Sequence, residues 1–247
     1  MSEIFDAIDR GHFEQAKRMV TDNPQCVHIK DERNWTVLDC IIACGILDIA
    51  KYLWDNMGGR PNLEIYRDGI FTPVHSTAHE EKTATLEWVF TENVLSRDVL
   101  QIVCNWKRTP LDCAIAEGKL EMAKYLWGMG GQPNLDMYHD GGWTPVHSIA
   151  WSGKTVILKW IFAEKVLPLR VLNIKSFDGW TPLDRLIYLE EWETADLFQR
   201  LIHLDAVFLA MQRAKRDYQC VLRRLPDELL DMVVDEVAAR YHLEVVW

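Results

Sequence analysis

The sequence predicts an all-α fold, with about six helix–turn–helix units in series over residues 1–202 and a C-terminal helical segment over 203–247. Three observations predict it. A five-residue pattern recurs as Trp-Thr-Val-Leu-Asp at 35–39, Phe-Thr-Pro-Val-His at 71–75, Arg-Thr-Pro-Leu-Asp at 108–112, Trp-Thr-Pro-Val-His at 143–147 and Trp-Thr-Pro-Leu-Asp at 180–184. Its threonines lie 36, 37, 35 and 37 residues apart. A doubled period is superimposed: Leu120–Trp127 repeats Leu47–Trp54, Gly-Gly-Gln-Pro-Asn-Leu at 130–135 repeats Gly-Gly-Arg-Pro-Asn-Leu at 58–63, and Leu158–Phe162 lies 72 residues after Leu86–Phe90. Finally, glycines fall where short helices have to end.

Each unit follows from local chemistry. Threonine accepts from the free N–H groups at a helix start, and proline next to it occupies the first helical position, where its missing donor costs nothing. A helix of about ten residues is therefore expected after every such threonine, ending near Gly45, Gly118 or Gly153. A second apolar-periodic helix follows, Leu47 to Trp54 and Leu120 to Trp127, and stops at paired glycines suited to a left-handed C-cap. Extra length falls after the second helix, notably at Val94–Lys107 and Val166–Asp178, where a longer loop or an additional turn is expected.

These units resemble the ankyrin repeat, whose Thr-Pro-Leu-His opens the first helix of a helix–turn–helix–loop unit of about 33 residues. Ser2–Asp31 looks like a degenerate first repeat, with Gly11-His12-Phe13-Glu14 in place of the family's Gly-His-Leu-Glu. The family's histidine stands at His75 and His147 and is replaced by Asp39, Asp112 and Asp184. The resemblance implies a curved solenoid with a concave face of first helices and loop tips, because no unit buries its apolar face alone and neighbours have to supply the wall. Trp54 with Trp127 and Trp88 with Trp160 are then packing residues between repeats, whereas Trp35, Trp143 and Trp180, just before each threonine, are expected to be partly exposed.

On that register, the outward positions of the inner helices are Asp9 and Arg10, Ala43 and Cys44, His79 and Glu80, Ala116 and Glu117, Trp151 and Ser152, Tyr188 and Leu189. The candidate partner-binding residues of the concave face are His79, Glu80, Glu117, Trp151, Ser152, Tyr188 and Leu189, with Trp151, Tyr188 and Leu189 as an apolar strip of the kind that anchors interfaces. Loop tips form a second candidate surface, with Tyr66, Arg67, Tyr138 and His139.

In the tail, Asp205 can cap a helix through about Gln219, and Pro226 followed by acids starts another. Leu225-Pro226-Asp227-Glu228-Leu229 resembles the opening of an F-box, in the shortened C-terminal form that some ankyrin proteins carry (PRANC-like). That likeness implies docking on a Skp1-like adaptor of cullin-type ubiquitin ligases, with Leu225, Pro226, Leu229 and Val233 as contacts and Glu228 as the motif's acid. A SOCS box fits less well, since its Leu-Cys motif is not evident. The other reading is a helical cap on the last repeat.

Composition narrows the functional classes. With 27 Lys+Arg against 37 Asp+Glu, the net charge of −10 repels phosphate backbones and anionic membranes, so neither nucleic acid nor membrane is an expected partner. Apolar stretches such as Cys40–Leu47 fall far short of the about 20 residues a bilayer crossing needs. The first six residues lack the features of a secretion or transit signal, and cytosol or nucleus is the expected compartment. Six cysteines without a C-x-x-C pair suggest neither a zinc site nor a disulfide framework and read as buried hydrophobes.

His75 and His79 share a helix face, but the stretch lacks the glutamate of a zinc-protease helix and no third ligand is evident. No nucleophile–base set stands out, and the paired glycines follow helices where phosphate-binding loops precede them. The expectation is a non-enzymatic protein-interaction scaffold without metal or cofactor. The alternative is the substrate-receptor subunit of a ubiquitin ligase.

Overall fold

The computed structural model describes residues 3–62, 71–134, 141–154, 156–164, 166–167, 169–192, 195–196, 198–200 and 202. Among them the fold is all-α, with no strand beyond an isolated bridge between Lys30 and Thr36. The chain divides into two compact units, Met1–Leu167 and Pro168–Trp247.

The first unit is a succession of helix pairs: α1 (Glu3–Asp9) with α2 (Phe13–Asp22), α3 (Val37–Cys44) with α4 (Leu47–Asn56), α5 (Pro73–His79) with α6 (Thr83–Thr91), α7 (Pro110–Ala116) with α8 (Leu120–Gly128), and α9 (Pro145–Ser152) with α10 (Val156–Ala163). Within the first four pairs the two helices pack on each other, and the leading helices also pack in sequence, α1 on α3, α3 on α5, α5 on α7 and α7 on α9. Helices of seven to ten residues are too short to be stable alone. Their stability comes from these contacts: Leu38, Ile41 and Ile42 of α3, Val74 and Ala78 of α5, and Leu111 and Ile115 of α7 are fully buried, at about 1.5–3 kcal/mol for each large aliphatic side chain.

Every expected threonine is a helix N-cap: Thr36, Thr72, Thr109, Thr144 and Thr181 precede α3, α5, α7, α9 and, in the second unit, α11 (Pro182–Tyr188). These helices are shorter than the expected ten residues, running for seven or eight. A left-handed residue follows each of them, Gly45, Glu81, Gly118, Gly153 and Glu190, and reverses the chain before another turn can form. The added length after the second helices is partly 3-10 structure, at Arg97–Gln101 and, in the second unit, Leu169–Asn173, with a third such turn at Pro24–His28.

Two kinds of helix start alternate. Before α3, α7 and α11 lies the same tight turn, closed by Asp31 N–H to Trp35 O, Cys104 N–H to Arg108 O and Ser176 N–H to Trp180 O, each 2.9 Å, with Asn34, Lys107 and Gly179 at positive φ. Aspartate then fills the third helical position. Asp39 Oδ2 accepts from Thr36 N–H at 3.0 Å, from its hydroxyl at 2.8 Å, and from the Asn62 N–H 23 residues on at 2.8 Å. Asp112 repeats this with Thr109 and Asn134. The side chains of Asn62 and Asn134 donate to the carbonyls of Asn34 and Lys107, so the Pro-Asn loop after the second helix closes back on the turn before the first.

Before α5 and α9 the same position holds histidine. His75 Nδ1 accepts from Thr72, 3.3 Å from its N–H and 2.8 Å from its hydroxyl, and Nε2 lies 2.9 Å from the carbonyl of Arg108. The partners fix the tautomer: the amide forces Nδ1 to accept, and the carbonyl requires the proton on Nε2. Burial drives the pKa of His75 down to about 4, against the opposing pull of the hydrogen bond to Arg108, so the ring is neutral at pH 7.

Candidate interaction surface

The ends of the leading helices, with the turns after them, make up the surface on which the sequence places a partner. In the first unit Asp9, Arg10, Glu80, Trp151 and Ser152 are exposed, His79, Glu117 and Cys44 are half-buried, and Ala43 and Ala116 are buried. The two alanines thus do not face outward as the register expected, because small side chains at the helix crossings let the neighbouring helix close over them. His79 and Glu80 are linked at 3.2 Å, His79 Nε2 lies 3.5 Å from Glu117, and Glu117 pairs with Lys154 at 3.1 Å, so α5, α7 and the turn after α9 are stitched by one polar chain.

Trp151 is 51% exposed and stands edge-on to Trp143, with ring centroids 5.8 Å apart. A second exposed indole, Trp106 at 50%, lies in the turn before α7 against Phe71, 5.1 Å away. The rigid neighbour holds each ring in place, which lowers the entropy lost when a partner covers it. Trp143 is half-buried as expected, but Trp35 is buried, because the guanidinium of Arg33 lies over its ring 4.4 Å from the centroid. Trp88 is buried, whereas Trp54, Trp127 and Trp160 are half-buried.

Next to Arg33, the ends of α1, α3 and α5 border an open groove of about 570 Å³, walled by Ile8, Phe13, Trp35 and Phe71. Arg33 pairs with Asp31 at 2.7 Å and more distantly with Asp9 at 3.8 Å. Cys40 and Cys44 line the groove as neutral thiols, since burial pushes both pKa values up. One carboxylate oxygen, Asp39 Oδ1, is buried without a hydrogen-bond partner, and desolvation raises the pKa of that carboxyl against the pull of the donors on Oδ2.

In the second unit, Tyr188 is 65% exposed and Leu189 half-buried. Tyr188 stands edge-on to Trp180 at 5.2 Å, and Arg185 lies over the other ring's face region at 4.8 Å from the Trp180 centroid. Ile187, Trp192 and Phe177 are exposed as well. Asp178, with its pKa lowered by the Ser176 hydroxyl, forms an ion pair with Arg185.

Tyr66, Arg67, Tyr138 and His139 lie outside the described residues, as do Leu225, Pro226, Glu228, Leu229 and Val233 of the tail. The buried ring of His75 is occupied by Thr72 and Arg108, and His79 by two glutamates; among the described residues no three His, Cys, Asp or Glu side chains group as metal ligands. No described helix is long and apolar enough to cross a membrane. Comparison with models of known protein families finds no match to this chain. The sequence missed the groove and the exposed Trp106; the signal for the latter was an indole in a turn with no helical register to bury it.

Proposed function

We propose that this protein is a non-enzymatic interaction scaffold of the ankyrin-repeat kind, capturing a protein partner on the exposed ends of its leading helices. Support for the repeat comes from the recurring Thr-capped helix, the left-handed turn after it and the ordered packing of each leading helix on the next. The observation that carries the binding role is Trp151, half exposed on a helix whose other large apolar residues, Val146 and Ile149, are fully buried. An indole kept in water at a helix end, followed in the chain by exposed Ser152 and by Lys154, which pairs with Glu117, has the composition of an interface anchor.

Affinity capture with the full chain tests this. The Trp151→Ala, Tyr188→Ala double variant is expected to lose the partners that the wild type retains, with an unchanged thermal midpoint. Retention of the same partners by the folded double variant would refute the reading.

A second reading, the substrate receptor of a ubiquitin ligase, rests on Leu225-Pro226-Asp227-Glu228-Leu229. It predicts that a Skp1-like adaptor binds the full chain and that Leu225→Ala with Leu229→Ala abolishes binding; an adaptor that ignores the two substitutions removes it.

A further inference from the structure

Two lysines at equivalent points of the doubled period meet different partners. Lys154 lays its stem across Gly118, leaving no room for a Cβ there, and its ammonium reaches Glu117 Oε2 at 3.1 Å. Lys82 lays its stem across Gly45 in the same way. The position corresponding to Glu117, just before the turn glycine, is here Cys44. Among the described residues Lys119 pairs with Glu81 and Lys154 with Glu117, and Lys82 has no ion pair.

Lys82 borders the groove at the ends of α1, α3 and α5. The other charges there are already engaged: Arg33 with Asp31 and Asp9, and Glu80 with His79 at 3.2 Å. Lys82 is thus a cation over a half-buried neutral thiol, beside the apolar walls of Trp35 and Phe71. Three neighbouring helices about 10 Å apart span roughly 20 Å, the length of about six extended residues, which fits a peptide segment better than a small molecule.

We infer that this groove is a subsite for an acidic side chain of a partner polypeptide, whose carboxylate pairs with Lys82 as Glu117 pairs internally with Lys154, and whose adjoining apolar side chain lies against Trp35 and Phe71. The inference rests on the proposed role of the helix ends as a protein-binding face, and adds the chemistry of the partner.

The test is selection of a random peptide-display library on the full chain, followed by fluorescence polarisation of one enriched peptide. Wild type is expected to enrich peptides with Asp or Glu beside an aliphatic or aromatic residue, and exchanging that acid for its amide should weaken binding at least tenfold. Cys44→Glu, which installs the internal pair, is expected to cause a similar loss, and so is the surface change Lys82→Gln, which keeps the test valid should the first variant fold poorly. An amide peptide that binds within twofold of the acid, or folded variants that bind as wild type does, would overturn the inference. Enriched peptides without an acid whose binding Trp151→Ala abolishes would leave the proposed function standing and remove this subsite. No enriched peptide at all would count against both.

Discussion

The starts of α3 and α5 solve one problem with two side chains. Both use threonine as N-cap, and both place at the third helical position a group that accepts from the threonine. They differ in what the rest of the group does. Asp39 offers only acceptors, and its Oδ2 collects a further N–H from Asn62, 23 residues later in its own hairpin. His75 accepts at one nitrogen and donates at the other, to the carbonyl of Arg108 in the turn before the next hairpin. The choice of residue therefore follows from what the facing loop presents. At Asp39 and Asp112 the loop offers an amide; at His75 the turn offers a carbonyl to a neutral imidazole.

The harshest way to break this comparison is His75→Asp. The carboxylate would keep the bonds to Thr72 but face the Arg108 carbonyl with a second buried acceptor, at an expected cost of about 4 kcal/mol in urea unfolding. A cost under about 1 kcal/mol would mean that the donor role of Nε2 is unimportant.

Acid should separate the two positions next. The folded pKa of His75, about 4, lies below its ordinary 6.5. Between these values the unfolded chain binds a proton that the folded chain refuses. The stability due to His75 is therefore complete above about pH 6.5, falls as the pH drops, and has lost about 3 kcal/mol by pH 4. Asp39 acts with the opposite sign: its raised pKa makes the folded state bind the proton first, so its protonation adds stability as pH falls toward the ordinary carboxyl range. Urea midpoints of wild type, His75→Gln and Asp39→Asn from pH 7 to 4 check this. The fall should flatten in the first variant and steepen in the second.

A smaller effect sharpens the symmetry of the doubled period. Asn62→Ala and Asn134→Ala remove the side-chain hydrogen bonds to Asn34 O and Lys107 O, while keeping the backbone bond to the capping aspartate. Each is expected to cost about 1 kcal/mol. Costs that differ by more than twofold between them would show that the two hairpins are not energetic copies.

The helix starts were legible in the sequence because capping is local: threonine, proline and the third residue all lie within one turn. The alternation of Asp39 and His75 was visible as letters but not as a reason, since the deciding partners lie 23 and 33 residues away. Burial of Trp35 depended on Arg33 folding over it through a turn two residues long, which no periodicity signals. The exposure of Trp151 was readable from register alone, because it falls at the outer end of a helix whose buried positions are fixed by the cap. The groove was not, since three helices from three hairpins contribute to it.

The Arg108 carbonyl accepts from Cys104 within its own turn and from His75 of the preceding hairpin. The hairpins that start with Asp39 and Asp112 are thus locked shut by their own loops, while the one that starts with His75 is latched to its successor. Under tension, α5–α6 and α7–α8 would let go together, as a block of roughly 60 residues that pays out about 200 Å of extended chain. The doubled period of the sequence would then be read in the size of the mechanical step as well as in the order of the letters.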